Sequence, residues 1–328
     1  MAHMANPLAT PDQLFQRRSY GSLPIELQDT IFFATQCLTQ AAGLLLQLPQ
    51  SVTAQANVLL ARYWLVESMM SHEFSDTSAA ILYLTAKLSP HPRSPRDICN
   101  VYSYLVTRPT TALFHSPTAP PPPPHDPASP SPPYYRSESA YQAFHTRLLT
   151  LEARALHALA FDTHVALPHA LAVTYLQALD FLGRGAKDGP NGLGARAVAY
   201  LNTALLSPQM LYLTSQPNAL AVAAVYNAAR DVGAKMPECE WWEVFDVERE
   251  ELGFLVVGMR SVEGWGAVMR EDLRGMGVER GMVTRGDVEA ELGRRGLVVG
   301  GNGSNGVDPE EEMARRMDEK MAEMEADV

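Results

Sequence analysis

The sequence has 328 residues, three of them cysteines, with a formal net charge of −11 and 46% hydrophobic residues. This length allows two domains that each bury a core, while the acidic balance disfavours direct nucleic-acid binding and three cysteines cannot build a disulfide framework. The sequence has no signal-peptide pattern and no run of about 18 apolar residues, so we expect a soluble, intracellular protein that binds no membrane.

The first half of the chain predicts five helices. Apolar residues recur at spacings of three and four, and alternating strand patterns are nearly absent. The first four helices are predicted over 24–47, from about 51, over 76–88 and from 95 to about 105. The third is apolar on most faces, so we expect it at the centre of a helical bundle. The fifth is predicted to begin with Ser139 as its N-cap and to end near Phe161.

A proline-rich segment lies between the fourth and fifth predicted helices. Eleven of the 24 prolines fall between Pro109 and Pro133. Such a segment cannot pack as a helix, so we predict an extended, exposed insertion over about 107–136. Ser116, Ser129 and Ser131 each precede a proline. This pattern suits proline-directed kinases, and we predict phosphorylation there, the alternative being an unmodified spacer.

The second half of the chain repeats the helical pattern. Helices are predicted over 168–182, 195–206, 217–231, near 238–245 and over 246–268, with a glycine-rich turn at 183–194. The third helices of the two halves align, with Tyr83 on Tyr226 and Lys87 on Arg230. This internal repeat outweighs any short motif. We therefore predict an all-α protein with an N-terminal arm (1–23), two tandem five-helix domains (24–163 and 164–268) and a flexible acidic C-terminal tail (269–328).

The sequence lacks patterns for catalysis or for a metal. The nine histidines have no His-Glu-x-x-His spacing, and capping or packing explains His157, His164 and His169 better than a metal site does. The glycine-rich turn lacks the Gly-Lys-Ser/Thr ending of a phosphate loop. The pair Trp241-Trp242 offers either an exposed aromatic surface or, for at least one ring, a core residue. We expect no catalytic residue, metal or cofactor.

Several runs of the sequence resemble L-type cyclins, over about residues 25–265. The matching runs are Gln55–Trp64, His72–Phe74, Leu82–Lys87 and Arg96–Val101 in the first cyclin box, and Leu151–Val165, Pro168-His169 and Tyr175–Gln177 at the junction into the second. The resemblance implies that the two five-helix units are cyclin boxes. It also implies a nuclear regulatory subunit that performs no catalysis itself. Such a subunit binds and activates a cyclin-dependent kinase in transcription or pre-mRNA splicing.

The resemblance also implies a kinase-binding site. In cyclins, a lysine that ends the third helix and a glutamate on the fifth hold the kinase's regulatory helix beside an apolar patch. The matching residues are Lys87 and Glu152, with Leu88, Leu149 and Leu156 as apolar contacts. Glu152 lies in an apolar helix stripe, where an unpaired acid is costly. From the residues alone, the simpler interpretation is that Lys87 and Glu152 only pair with each other or reach solvent, and Leu88 and Leu156 could equally be ordinary core residues.

The sequence departs from L-type cyclins near the predicted kinase face. Lys87 is followed by Leu88-Ser89-Pro90, where these cyclins usually have two acids, and the proline-rich insertion is unusually long. An alternative is therefore a cyclin-fold scaffold that binds splicing or transcription factors without activating a kinase. A general transcription factor built from two such repeats is a third hypothesis. That class requires a zinc ribbon and a basic surface, which the sequence does not show.

Overall fold

The computed structural model describes residues 5–19, 23–107, 136–181, 192–276, 278 and 282–297. Throughout these ranges, every regular element is a helix, which confirms the predicted all-α class. Most of the proline-rich insertion lies outside the described residues, together with Ser116, Ser129 and Ser131. Most of the glycine-rich turn and the chain beyond Leu297 lie outside them as well.

The first unit is a five-helix bundle with its third helix at the centre, and a short helix precedes it in the chain. The helices before the insertion are α1 (Pro11–Ser19), α2 (Ile25–Leu45), α3 (Gln50–Val66), α4 (Phe74–Leu88) and α5 (Pro95–Thr107), and α6 (Glu138–Ala158) follows it. Helix α4 packs against α2, α3, α5 and α6. It is the third helix of the unit and apolar on most faces, so its central place agrees with the prediction.

The second unit repeats this arrangement. Its helices are α7 (His169–Ala178), α8 (Leu193–Ala204), α9 (Leu211–Thr214), α10 (Pro217–Val232) and α11 (Arg249–Gly275), with a 3₁₀ turn over Glu243–Phe245. Helix α10 packs against α7, α8, α9 and α11, so it is central in the same way as α4. Over the aligned segments 80–87 and 223–230, burial agrees at all eight positions, and Tyr83 and Tyr226 are both half-buried. The structure therefore supports the repeat seen in the sequence.

Several helix boundaries differ from the predictions. The N-cap of α6 is Ser137, whose hydroxyl accepts a hydrogen bond from the Ala140 backbone N–H at 3.3 Å, and not Ser139. The last helix of the second unit passes the predicted end at 268 and reaches Gly275. Helices α1 and α9 were not predicted from the sequence. In each case the local apolar pattern is short, so packing against the rest of the protein decides the element.

A further helix, α12 (Arg285–Arg294), lies in the segment predicted as a flexible tail from 269. A capping box starts it, in which the Thr284 hydroxyl accepts from the Asp287 backbone and the Asp287 side chain accepts from the Thr284 backbone N–H. Val288 and Leu292 are fully buried. Met282 and Val283, just before the helix, are buried as well. The prediction of a flexible tail is therefore wrong for 285–294, because a few well-placed apolar residues dock a helix that is mostly polar.

The N-terminal segment bridges the two units through Asn6, which is only 5% exposed. Its side-chain amide donates to the Ala166 carbonyl oxygen and accepts from the Ala166 backbone N–H, both at 2.8 Å. Its backbone forms a second reciprocal pair with the side-chain amide of Gln216, both bonds being 3.0 Å long. Arg62 of α3 also donates to the Asn6 side-chain oxygen at 3.4 Å. Asn6 thus joins the first unit, the linker and the second unit.

The segment that contains α12 crosses in the opposite direction, from the second unit to the first. The Arg285 backbone N–H donates to the Glu73 carboxylate at 3.3 Å, and the Arg295 guanidinium pairs with Glu26 at 3.2 Å. Each unit is therefore contacted by a segment that is adjacent in sequence to the other unit. None of the helices in the described ranges is both long and apolar enough to cross a bilayer.

Candidate partner-binding site

The candidate site lies where the C-terminal half of α4 packs against α6. Lys87 is in the last turn of α4, and Glu152 is in the second half of α6. The Lys87 Nζ atom donates to Glu152 Oε1 at 2.9 Å. Packing of the two helices thus joins the two residues that the resemblance identifies, although they are 65 positions apart in the chain.

The residues after Lys87 explain why α4 ends there. The Ser89 hydroxyl donates to the Ala86 carbonyl oxygen at 2.8 Å and accepts from the His91 backbone N–H at 3.0 Å. Pro90 disfavours helical geometry at Ser89 and cannot itself donate a backbone hydrogen bond. Lys87 therefore lies beside the last carbonyl groups of α4, where the helix dipole favours a positive charge.

The pair has a buried acid and an accessible base. The Glu152 side chain is 8% exposed, whereas the Lys87 side chain is 54% exposed. The Lys87 Nζ atom also lies 5.5 Å from the centroid of the Tyr83 ring. The hydrogen bond with Glu152 raises the pKa of Lys87, so the amine is charged at neutral pH. A lysine amine has three donors, so it can bind another acceptor while it holds Glu152.

Apolar side chains border this pair. Leu88 is adjacent to Lys87, while Leu149 and Leu156 lie one turn before and one turn after Glu152 on the same face of α6. Leu88 is 57% exposed, Leu149 is 41% exposed and Leu156 is half-buried. Leu88 and Leu149 are therefore not core residues. Of the five predicted site residues, Lys87 and Glu152 form an ion pair, Leu149 and Leu156 flank Glu152 along α6, and Leu88 is an exposed residue next to Lys87 in the chain.

Sequence reasoning missed the other contacts that position α6. Arg147 pairs with Asp76 of α4 at 2.8 Å, and Arg96 of α5 pairs with Glu138. The Arg96 guanidinium also lies 4.1 Å from the centroid of the Tyr141 ring. These residues lie far apart in sequence and belong to no motif, so only the helix packing could reveal the pairs.

The structure does not bring the three histidines together into a metal-binding group. The His157 ring contacts the Phe161 ring, and a His169 ring nitrogen lies 2.9 Å from the Asn202 side-chain oxygen. Burial lowers the pKa of His169. Within the part of the chain that the structure describes, no group of three His, Cys, Asp or Glu side chains could hold a metal ion. Trp241 is buried and Trp242 is half-buried.

Comparison with solved structures establishes the class of fold. A chain in the crystal structure of the yeast RNA Pol II CTD kinase CTDK-1 complex superposes with a TM-score of 0.59 at 13% identity, covering 92% of this chain and 93% of that chain. A chain of the Chaetomium thermophilum CAK complex bound to ATP-gamma-S gives a TM-score of 0.53 at 15% identity, covering 92% and 94%. At these identities the similarity concerns the fold alone.

Comparison of sequences identifies the family. No family model matches the sequence. The chain is 31% identical over 241 residues to an uncharacterized cyclin-L1-like protein of Schizosaccharomyces pombe, covering 72% of the chain and 85% of that protein. It is 27% identical over 277 residues to human Cyclin-L2, covering 83% of the chain and 48% of that protein. The chain therefore belongs to the cyclin-L family, and it spans about half the length of human Cyclin-L2.

Proposed function

We propose that the protein is a regulatory subunit that binds and activates a cyclin-dependent kinase. The observation that carries the proposal is the Lys87–Glu152 pair, held at 2.9 Å with an accessible amine, on two helices that also carry the exposed Leu88 and Leu149. Family membership supplies the functional interpretation, since a lysine and a glutamate at these positions contact the kinase's regulatory helix in cyclins.

The physical properties of the patch suit such a contact. Because Glu152 already orients Lys87, binding costs little additional ordering of the lysine side chain. Fully burying a leucine is worth about 1.5–3 kcal/mol, so Leu88 and Leu149, which are roughly half exposed, can contribute part of that on binding. Activation would follow if the bound state favours the placement of the kinase helix that completes its lysine–glutamate ion pair.

We further propose that the kinase acts in transcription or pre-mRNA splicing, that the protein is nuclear, and that splicing or RNA polymerase II transcription factors are additional partners. Membership of the cyclin-L family supports this proposal. The partner kinase is also our candidate for phosphorylating Ser116, Ser129 and Ser131. Phosphopeptide mapping of the complex after incubation with ATP tests this prediction, and an unmodified segment would contradict it.

Co-purification from cells with mass spectrometry of bound proteins tests the kinase proposal. The double variant Lys87→Glu/Glu152→Lys retains an opposite-charge pair between α4 and α6 but places the base on α6 and the acid at the surface. We expect a cyclin-dependent kinase to bind the native protein and at least ten-fold less to bind the variant. Arg147→Asp/Asp76→Arg exchanges another pair between the same helices and should leave binding unchanged.

The scaffold alternative predicts a different result. It is favoured by the Leu88-Ser89-Pro90 sequence, which ends α4 directly after the predicted kinase-binding lysine. In that case splicing or transcription proteins would co-purify without any kinase, and the Lys87/Glu152 exchange would change nothing. A kinase that binds normally but gains no activity in a phosphorylation assay would also support a scaffold.

A further inference from the structure

A small cavity of about 10 Å³ lies at the junction of the two units. Helices α2 and α3 line it from the first unit, with Phe32 and Asn57 among their side chains. The end of α8 and the segment of α9 line it from the second unit, with Leu205 and Tyr212 among their residues. Every lining residue is at most 5% exposed, so the cavity is buried.

Asn57 brings a polar side chain into this mostly apolar cavity. It is only 1% exposed, and no described residue forms a hydrogen bond with its Nδ2 or Oδ1 atom. Gln36 of α2 is close by, but its Nε2 atom donates to the Asn57 backbone carbonyl oxygen at 3.0 Å. Leaving a buried amide without partners costs free energy, because water binds it in the unfolded chain. Asn57 therefore needs a partner that is small enough for the cavity.

The second unit offers acceptors among the residues that line the cavity. The Tyr212 hydroxyl donates to the Leu201 carbonyl oxygen at 3.0 Å, which leaves its own oxygen able to accept a hydrogen bond. Leu205 is the C-cap of α8, where the last carbonyl groups of a helix lack donors within the helix. The Asn57 amide and these acceptors therefore belong to different units.

The volume and the lining of the cavity determine what can bind there. A single water molecule needs roughly 10–15 Å³ and two to four polar partners. The cavity has about 10 Å³, and its lining includes the Asn57 amide and the two acceptors of the second unit. A larger ligand does not fit. A metal ion would lack charged ligands, because none of the described lining residues is an acid, a histidine or a cysteine.

We propose that one ordered water molecule binds in this cavity and bridges the two units. It accepts a hydrogen bond from the Asn57 amide and donates to the second unit, at the Tyr212 hydroxyl oxygen and the Leu205 carbonyl oxygen. Three hydrogen bonds are the usual number for a buried water molecule. A water molecule that bridges two polar groups is nearly as favourable in enthalpy as a direct hydrogen bond between them.

The bridging water favours one alignment of the two boxes. Most of the cavity lining is apolar, and apolar contacts tolerate small shifts because they are not directional. A shift of one unit against the other would instead break the hydrogen bonds of the water molecule and leave Asn57 without a partner. The water site is independent of the kinase, since the cavity shares no residue with the Lys87–Glu152 pair.

Magnetic relaxation dispersion of the water ¹⁷O nucleus tests the proposal on the full chain, because it counts water molecules that stay bound while the protein tumbles. Asn57→Leu replaces the amide with an apolar side chain of similar size, and we expect it to lose about one such water molecule. Asn57→Ser keeps a polar group and leaves more room, so it should retain the water molecule. Asn218→Leu is the matched control and should keep the native count, because the Asn218 amide donates to protein carbonyl groups at 3.0 and 3.2 Å and lies outside the cavity.

Equal counts of bound water for Asn57→Leu and the native chain would overturn the proposal. A crystal structure of the native chain, at a resolution that shows ordered water, is a second test that does not depend on how well the variants fold. We expect a water molecule about 2.7–3.2 Å from Asn57 Nδ2. No water molecule at that position would also overturn the proposal, whether Asn57 then pairs with a rotated Gln36 side chain or with another protein group.

Discussion

Replacing Asn6 with alanine should loosen the junction of the two units. The substitution removes the two 2.8 Å hydrogen bonds with the Ala166 backbone and the longer one from Arg62. It leaves the backbone contact with Gln216 in place. The substitution therefore removes the side-chain contacts with Ala166 and Arg62 but keeps the N-terminal segment and its backbone contact with Gln216.

The size of the expected loss in the free energy of unfolding follows from the burial of Ala166. Ala166 is 8% exposed, so its N–H and C=O groups would be left without their partner in a site that water enters poorly. Each orphaned buried group costs about 1–3 kcal/mol. With both groups orphaned, we expect the free energy of unfolding to fall by about 2–6 kcal/mol, and by about 1–3 kcal/mol if water reaches one of them.

Urea denaturation followed by tryptophan fluorescence measures this loss, since Trp64 reports on the first unit and Trp241 and Trp265 on the second. Leu8→Ala is the matched control in the same arm, because Leu8 is 41% exposed, and it should cost less than about 0.5 kcal/mol. An Asn6→Ala protein within 0.5 kcal/mol of the native one would refute the reasoning that the junction depends on these hydrogen bonds.

Two further predictions concern stability. Because the hydrogen bond with Glu152 raises the pKa of Lys87, its contribution is fully present below the ordinary lysine pKa and is lost as pH rises through the raised value. Thermal denaturation from pH 9 to 12 should therefore show a smaller loss above the ordinary lysine pKa for Lys87→Gln than for the native protein, and identical profiles over that range would contradict this. Gly43→Ala should cost roughly 1–3 kcal/mol, because its Cβ atom would lie within 2.8 Å of the Thr53 methyl carbon. Gly253→Ala, with nothing within 4 Å, should instead stabilise α11 by about 0.5–1 kcal/mol. Calorimetry should show a lower melting temperature for Gly43→Ala and a higher one for Gly253→Ala than for the native protein.

The sequence predicted much of the helical architecture because the determining signals are local. The apolar run of 79–84 identified α4 as a central helix, and Pro95 with Asp97 indicated the start of α5. The repeat of α4 in α10 was visible because Tyr83 and Tyr226 are each followed, four residues later, by a basic residue. These features need no knowledge of tertiary contacts.

The features that escaped prediction depend on distant residues. Nothing in the first ten residues indicates that Asn6 would contact Ala166, 160 positions away. The sequence around α12 is mostly polar, and its docking depends on Val288 and Leu292 meeting a surface that only the folded protein supplies. For the candidate site, the resemblance identified Lys87 and Glu152, but only the structure showed that the acid is buried and the base accessible.

Two terminal segments, the one with Asn6 and the one with α12, each contact the unit that lies farther away in the sequence, and this limits how the protein can be cut into fragments. Suppose that the backbone is cut between α6 and α7. The N-terminal fragment would still contact the second unit through Asn6, and the C-terminal fragment would still contact the first unit through the segment of α12. A box expressed by itself would lose the contact that comes from the other box's terminal segment. The surface that this segment covers would then be exposed to solvent. We therefore expect a stable fragment of this protein to need both boxes, the segment around Asn6 and helix α12.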